Sequence, residues 1–227
     1  MTLTSLIKKL RVLAGECFRK RSLIRALHNL HLLDKSLEGH GIDFGAKNGL
    51  SSYHHFLDLS NSEIIYTDIA ANARNKIVAI DLETNFDVGR QCFDFALLMN
   101  VLEHIYNHKL LLKNIYGSLK SDGRLEGFVP FLYQYHADPD DYFRYTHTGL
   151  LKLLKDVGFT DIKITKIGVG MFITIASMSS RLLIFRIFIF FWWLLAILLN
   201  SILSKLWKKN KQYYSGLAFT ATKKINN

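Results

Sequence analysis

The chain has 227 residues, 49% hydrophobic, with a formal net charge of +10, enough apolar material for one full core, and its length favours one domain with appendages over two complete domains. The basic excess sits at the ends: residues 1–35 hold eight Lys/Arg against two acids and residues 171–227 hold eight against none, so the middle is net acidic. A nucleic-acid enzyme would carry its basic stripe across the domain that does the chemistry, so nucleic acid is not expected as a partner; basic ends flanking apolar helical patterns point to an anionic membrane surface, with solvated helix faces as the plainer alternative.

Two cysteines, Cys17 and Cys92, show no Cys-x-x-Cys or Cys/His spacing, so neither a disulfide framework nor a metal site is expected, and a reducing compartment follows. The first twenty residues interleave Lys8, Lys9, Arg11, Glu16 and Arg19 with apolar residues and lack the apolar core of a signal peptide, which predicts a cytoplasmic protein. Leu3, Leu6, Ile7, Leu10, Leu13, Ala14, Cys17 and Phe18 recur at helical spacing, and Leu23, Ile24, Leu27, Leu30 and His31 predict a second short helix before a loop around Gly39 and Gly41.

From there short β-like runs alternate with helical ones, the pattern of an α/β fold with a largely parallel sheet. Strands are predicted near Gly41–Gly45, Glu63–Asp68, Ile77–Asp81, Phe93–Met99, Arg124–Val129, Asp161–Ile167 and Gly216–Thr222, and helices near Asn48–Asp58, His108–Leu119 and Thr148–Val157, the last stopped by Gly158. The expected division is residues 1–39 as amphipathic helices, 40–170 as the catalytic domain, 171–212 as an apolar, basic-flanked insertion, and 213–227 as the last strand and tail.

The stretch Gly41-Ile-Asp-Phe-Gly-Ala-Lys-Asn-Gly49 closes the first strand with an acid and a glycine before a turn, at the edge of a doubly wound sheet where ligands bind. Asp68 ends the second strand, where a carboxylate can accept two hydrogen bonds from ribose hydroxyls, and Asp81 ends the third. Phe93-Asp-Phe-Ala-Leu-Leu-Met-Asn-Val-Leu-Glu-His-Ile105 follows, then Leu119-Lys120, Gly123, Val129-Pro130-Phe131 and Gly158-Phe159. In this order the motifs resemble the class I S-adenosylmethionine (SAM)-dependent methyltransferases over roughly residues 40–167. The resemblance implies a Rossmann-like fold, a seven-stranded mostly parallel sheet in the order 3-2-1-4-5-7-6 with strand seven antiparallel; this chain's own hydropathy adds an apolar helical insertion between strands six and seven. It also implies SAM as cofactor, with Asp43 and Gly45 bordering its methionine part, Asp68 holding its ribose, Asp81 and Leu82 beside its adenine, and Asn100 lining the pocket. Where many members have glycine this chain has Lys47: either the turn is built differently, with Lys47 pairing with the cofactor carboxylate, or SAM binding is impaired.

Both prolines, Pro130 and Pro139, fall in the loop after the fifth strand. There Phe131, Tyr133, Tyr135, Tyr142, Phe143 and Tyr145 alternate with His136, Asp138, Asp140, Asp141 and Arg144, which suits a polyol, sugar or aromatic acceptor. The run resembles a His-x-x-Pro-x-Asp-Tyr-x-Arg-Tyr-Thr pattern of bacterial methyltransferases associated with surface-glycan synthesis. His136 is the first candidate general base and His104 the second; Asp141 and Arg144 are either catalytic or a salt bridge tying the loop to the next helix, with Thr146 as its cap.

Leu182–Leu199 holds eighteen residues with one charge, long enough to span a bilayer. It lies between strands that must share a sheet, so it is expected to lie in the interface, to enter and return, or to pack on the domain or a partner. Arg181, Arg186, Trp192, Trp193, Lys205, Trp207, Lys208, Lys209 and Lys211 resemble interfacial anchors. The expected function is a cytoplasmic, membrane-associated SAM-dependent methyltransferase that O-methylates a glycan or lipid-linked glycan intermediate. The alternatives are methylation of a lipid or quinone-like ring, and a non-catalytic partner protein that keeps the fold at the membrane.

Overall fold

A computed structural model describes residues 3–46, 51–70 and 77–224. Its seven-stranded sheet consists of β1 (Gly39–Phe44), β2 (Ser62–Asp68), β3 (Ile77–Ala79), β4 (Phe93–Met99), β5 (Leu119–Pro130), β6 (Phe159–Val169) and β7 (Tyr214–Lys223), in the order 3-2-1-4-5-7-6. The pairs β1/β2, β1/β4, β2/β3 and β4/β5 are parallel. Lys223 Nζ reaches the Leu119 carbonyl at one end of β5, Thr220 meets Glu126, and Phe131 N donates to the Ser215 carbonyl beyond the other end. Those contacts run in opposite senses along the two strands, so β7 is antiparallel. The fold expected from the motifs is the fold observed.

Central position explains the composition of β4: six of its seven residues are buried, because a parallel strand covered on both faces reads as a continuous apolar run. The half-buried exception, Asp94, accepts two 2.8 Å contacts from Lys120 Nζ and one from His40 N, joining the starts of β1, β4 and β5. These bonds hold its carboxyl below the usual range, the Lys120 hydrogen bond first among the causes. The conspicuous Phe-Asp of the motif is therefore a structural clamp at the edge opposite the ligand side.

Helices α3 (His108–Ser118) and α4 (His147–Val157) follow the sequence expectation within a residue or two. Thr146 Oγ1 accepts from Gly149 N at 3.1 Å as the N-cap of α4, and Gly158 at φ +113° closes it. The helix expected over Asn48–Asp58 is not formed as such. Residues 48–50 lie outside the described residues, Ser52–Phe56 make a single 3-10 turn, and Leu57–Asp58 pair in parallel with Lys35–Ser36. Adjacent residues Tyr53 and His54 of this turn both bind Asp43.

The chain divides into two compact units. One takes the N-terminal residues through Leu33, Phe131–Gln134 and Lys166–Gly216; the other takes Asp34–Pro130, Tyr135–Thr165 and the residues from Leu217. The first is helical, with α1 (Leu3–Phe18), α2 (Leu23–Leu32), α5 (Met171–Ser179) and α6 (Arg186–Leu206). Leu13, Cys17, Ala26, Ile173, Ala176, Ile189, Trp193 and Ala196 form its core. The apolar run expected over Leu182–Leu199 becomes a longer helix that begins later, at Arg186; Leu182 lies in a 3-10 turn, and α5 precedes it as a helix the sequence did not announce. Asn200 Nδ2 donates to the Val169 carbonyl at 2.8 Å and Asn210 Nδ2 to Asn200 Oδ1 at 3.0 Å. A side chain at Gly170, whose φ is +116°, would collide with Asn200, so the polar anchor of α6 needs glycine at that corner.

Candidate functional site

Parallel register aligns the carboxyl ends of β1 to β4. Asp43 lies opposite Tyr66, Phe44 opposite Thr67 and Leu98, and Asp68 opposite Ala79. Consequently Gly45, Asp68, Asp81 with Leu82, and Asn100 all emerge at one edge of the sheet, the ligand edge of a doubly wound fold.

Asp43 is fully buried; Tyr53 Oη donates to its carboxylate at 2.7 and 2.9 Å, and His54 Nε2 lies 2.7 Å from Oδ2. Burial raises its pKa despite the opposing effect of His54 and Tyr53. The carboxylate thus organises the turn behind the edge through these two side chains. Gly45 has φ +75°, and an added Cβ would stand 2.6 Å from Val101 Cγ2; Gly45 N and Ala46 N both donate to the Thr67 carbonyl. Here the motif glycine is required twice, by its φ and by the close approach of the turn after β4. Lys47 lies outside the described residues.

Asp68 is half-buried and accepts from Ile69 N at 2.7 Å through Oδ1; among the described residues, Oδ2 takes no hydrogen bond. Asp81 is exposed and accepts from Glu83 N, and Leu82 is buried beside it. Glu83, which the motifs did not single out, accepts from Tyr106 N at 2.6 Å and Asn107 N at 3.0 Å. It fixes the loop after β3 to the start of α3, where a carboxylate also complements the helix dipole. Asn100 has φ +57° and donates its N–H to the Phe128 carbonyl. A left-handed non-glycine residue at the end of the central strand is a local strain of the kind that clusters at functional sites.

The turn after β4 carries a second group. Tyr142 N and Phe143 N donate to the Glu103 carbonyl, and Tyr145 Oη to the Leu102 carbonyl, which docks residues 142–145 onto the Leu-Glu-His turn. Burial pushes the Tyr145 phenol far above its ordinary value, and the Glu103 charge adds to the shift. His104 Nδ1 is 2.5 Å from the Asp140 carbonyl. His136 N donates to Asp141 Oδ2 at 2.9 Å, and its Nδ1 is 3.3 Å from the same oxygen. Arg144 holds Asp141 with both guanidinium arms, Nη2 at 2.6 Å from Oδ2. Burial works to raise the Asp141 carboxyl, but those hydrogen bonds and the Arg144 and His136 charges outweigh it and bring the pKa down to about 2. Glu103 is fully buried, with His136 Nε2 at 3.5 Å and His104 Nε2 at 3.7 Å from Oε1. The Glu103 carboxylate beside it holds the His136 imidazole above its usual value against the effect of burial. The expected residues His104, His136, Asp141 and Arg144 thus meet in one cluster, and the residue joining them is Glu103, which sequence reading treated only as the neighbour of His104.

A sequence model described as a methyltransferase domain matches residues 16–164, about two thirds of the chain. The chain belongs to the methyltransferase-domain family. No curated protein sequence matches it significantly. The methyltransferase is similar in fold to a putative methyltransferase solved with the Trm112 activator of Haloferax volcanii, at 12% identity and a TM-score of 0.58, with 97% of this chain and 98% of that chain covered. A SAM-dependent methyltransferase of Archaeoglobus fulgidus is similar at 17% identity and 0.56, covering 92% and 98%. Phosphoethanolamine N-methyltransferase 2 of Haemonchus contortus, solved with SAM, is similar at 15% identity and 0.51; 88% of this chain matches about half, 52%, of that one. These likenesses establish the fold, and with the family they make the protein a SAM-dependent methyltransferase. The left-handed Gly45 and Asn100 and the carboxylate of Asp68, all at one sheet edge, fit that cofactor.

Proposed function

We propose that the methyltransferase transfers a methyl group to a hydroxyl of a glycan or lipid-linked glycan at a membrane surface. The observation that carries this reading is the cluster of His136, His104 and Glu103 beside the cofactor edge, with Tyr106, Tyr135 and Tyr142 exposed on its flanking segments. Planar rings beside hydrogen-bonding groups suit a sugar face. Asp68 would accept from the ribose hydroxyls, Asp81 and Leu82 would border the adenine, Asn100 would line the pocket, and Asp43 would position the turn through Tyr53 and His54. Bound SAM supplies an activated methyl on its sulfonium, so the protein's share is in-line positioning and removal of the acceptor proton.

His136 is the proposed proton acceptor. Asp141 orients its Nδ1 side and Arg144 fixes Asp141, so both are positioning residues, and Nε2 is the nitrogen that would take the proton. His104, held by the Asp140 carbonyl, is the second candidate.

Membrane association is supported by α6, the one helix among the described residues long and apolar enough to cross a bilayer. Only a stripe of Ile189, Trp193, Ala196 and Asn200 is buried, whereas Phe188, Phe191, Leu195, Leu198 and Ile202 are exposed. Because β7 returns to the same sheet as β6, a single crossing is not compatible with the topology, and a position along the interface is favoured, with Lys205, Lys208, Lys209 and Lys211 toward anionic headgroups.

Methylation of a lipid or quinone-like ring is the second reading, favoured by the ring cluster of Tyr106, Tyr142 and Phe143, whose centroids lie 5.4 to 6.2 Å apart. The non-catalytic reading gives way to the family assignment. Transfer of labelled methyl from SAM to a membrane extract tests the proposal: label released by mild acid into a water-soluble glycan is expected, and label confined to simple extractable lipids would overturn the glycan reading in favour of the second.

A further inference from the structure

We propose that Glu103, His104 and His136 form a binding site for a divalent cation of zinc-like, borderline character. One donor atom from each lies within 4.8 Å of the other two. Glu103 is fully buried and neither carboxylate oxygen has a hydrogen-bond partner, an arrangement that is costly for a group bearing charge.

The histidine contacts sharpen the case. The Asp140 carbonyl can only accept, so at 2.5 Å it selects the Nδ1–H form of His104. In neutral His104 the Nε2 lone pair then faces the buried carboxylate at 3.7 Å. At His136 the Asp141 carboxylate and the Arg144 guanidinium both lie against Nδ1, and Nε2 faces Glu103 Oε1 at 3.5 Å. A nitrogen of each imidazole and a carboxylate oxygen thus converge on one region. A cation placed there gives the buried Glu103 carboxylate a partner.

The spacing admits this occupant. Ligands at zinc distances of about 2.0–2.1 Å stand about 3.3–3.4 Å apart along a tetrahedral edge; Glu103 stands 3.5 and 3.7 Å from the two histidines and all three donor atoms lie within 4.8 Å of one another, so binding would draw them together. Two imidazoles with one carboxylate suit zinc and its borderline neighbours better than magnesium or calcium, which take oxygen ligands. A backbone carbonyl behind one histidine and a carboxylate behind the other are the supports that metal-bound histidines generally have. Three protein ligands leave a coordination position for water or, on the O-methylation reading above, for the acceptor hydroxyl, whose proton would then be easier to remove. In that state His136 is a ligand and the proton leaves to solvent. The site itself does not depend on the acceptor's identity.

The test uses the full chain, free of any histidine tag and stripped with a chelator, titrated with Zn2+ against a chromophoric competitor in the absence of SAM and acceptor. One equivalent is expected to bind at micromolar or tighter affinity. Glu103→Gln and His104→Ala should each weaken binding by at least about tenfold, and Asp141→Asn by about tenfold through loss of support for His136. Co2+ in place of Zn2+ should give the visible absorption of a tetrahedral site, lost in His104→Ala. Thermal melting and S-adenosylhomocysteine binding identify variants that remain folded. Wild type that binds no Zn2+, or binds it equally in the folded His104→Ala and Glu103→Gln variants, would overturn the site and leave Glu103 as the counter-charge of a protonated His136. Cation binding without methyl transfer would sustain the site while counting against the proposed acceptor.

Discussion

Asp43 is a fully buried acid whose partners come from the next turn, and its loss of partnership is measurable. His54→Ala should lower stability by about 2 kcal/mol, the cost of removing a partner from a buried polar group, seen as a melting temperature lower by about 4–8 °C; an unchanged melting point would mean that the 2.7 Å contact contributes nothing. Gly45→Ala should weaken S-adenosylhomocysteine binding by at least about tenfold, roughly 1.4 kcal/mol, because the left-handed turn and Val101 both exclude a Cβ; calorimetry checks it. At this scale the sequence marks which residues stand at strand ends, since Gly45, Asp68, Asp81 and Asn100 fall there by register. It does not mark their partners. Tyr53 and His54 reach Asp43 from a 3-10 turn where a longer helix was expected, and Glu103 meets His136 only after a loop far along the chain folds back on the turn after β4.

Among the elements, α6 shows how an apolar run can be read by length and still leave its packing open. The run announces a helix that is apolar nearly all round, yet only contacts with α1, α5 and the Asn200 anchor decide which stripe is buried. Trp192 and Trp193, expected as interfacial anchors, instead donate to Ser179 and Ser180 at 2.9 and 2.8 Å, since a buried indole N–H needs an acceptor. The exposed face remains available to lipid. Phe188→Asp with Leu195→Asp should abolish cosedimentation with anionic vesicles while preserving the melting temperature, because both residues lie outside the packed stripe. Replacing Lys208 and Lys209 by Gln should weaken vesicle binding by about 2 kcal/mol, or about 30-fold. Equal binding by these variants and wild type would remove the membrane from the account.

Across the whole molecule, the alternating runs made an α/β fold with a largely parallel sheet legible, and strand order was legible only through the resemblance to class I methyltransferases that the strand-end acids and the Phe-Asp and Leu-Glu-His motifs carry. The helical unit was less legible. Its two parts are separated by more than a hundred residues, and neither part alone shows that Leu13 and Cys17 share a core with Ile173 and Trp193. The net acidic middle and basic ends match the proposed division of labour, with chemistry at the sheet edge and membrane attachment by the segments outside it.

The most direct test of the central claim is calorimetric titration of the solubilised methyltransferase with S-adenosylhomocysteine, the product of methyl transfer, beside Asp68→Ala. The account predicts micromolar binding by wild type, lost in a variant whose melting temperature is unchanged. Wild type that is folded and binds nothing, or an Asp68→Ala variant that binds as tightly, would contradict the placement of the cofactor at the ends of β1 to β4.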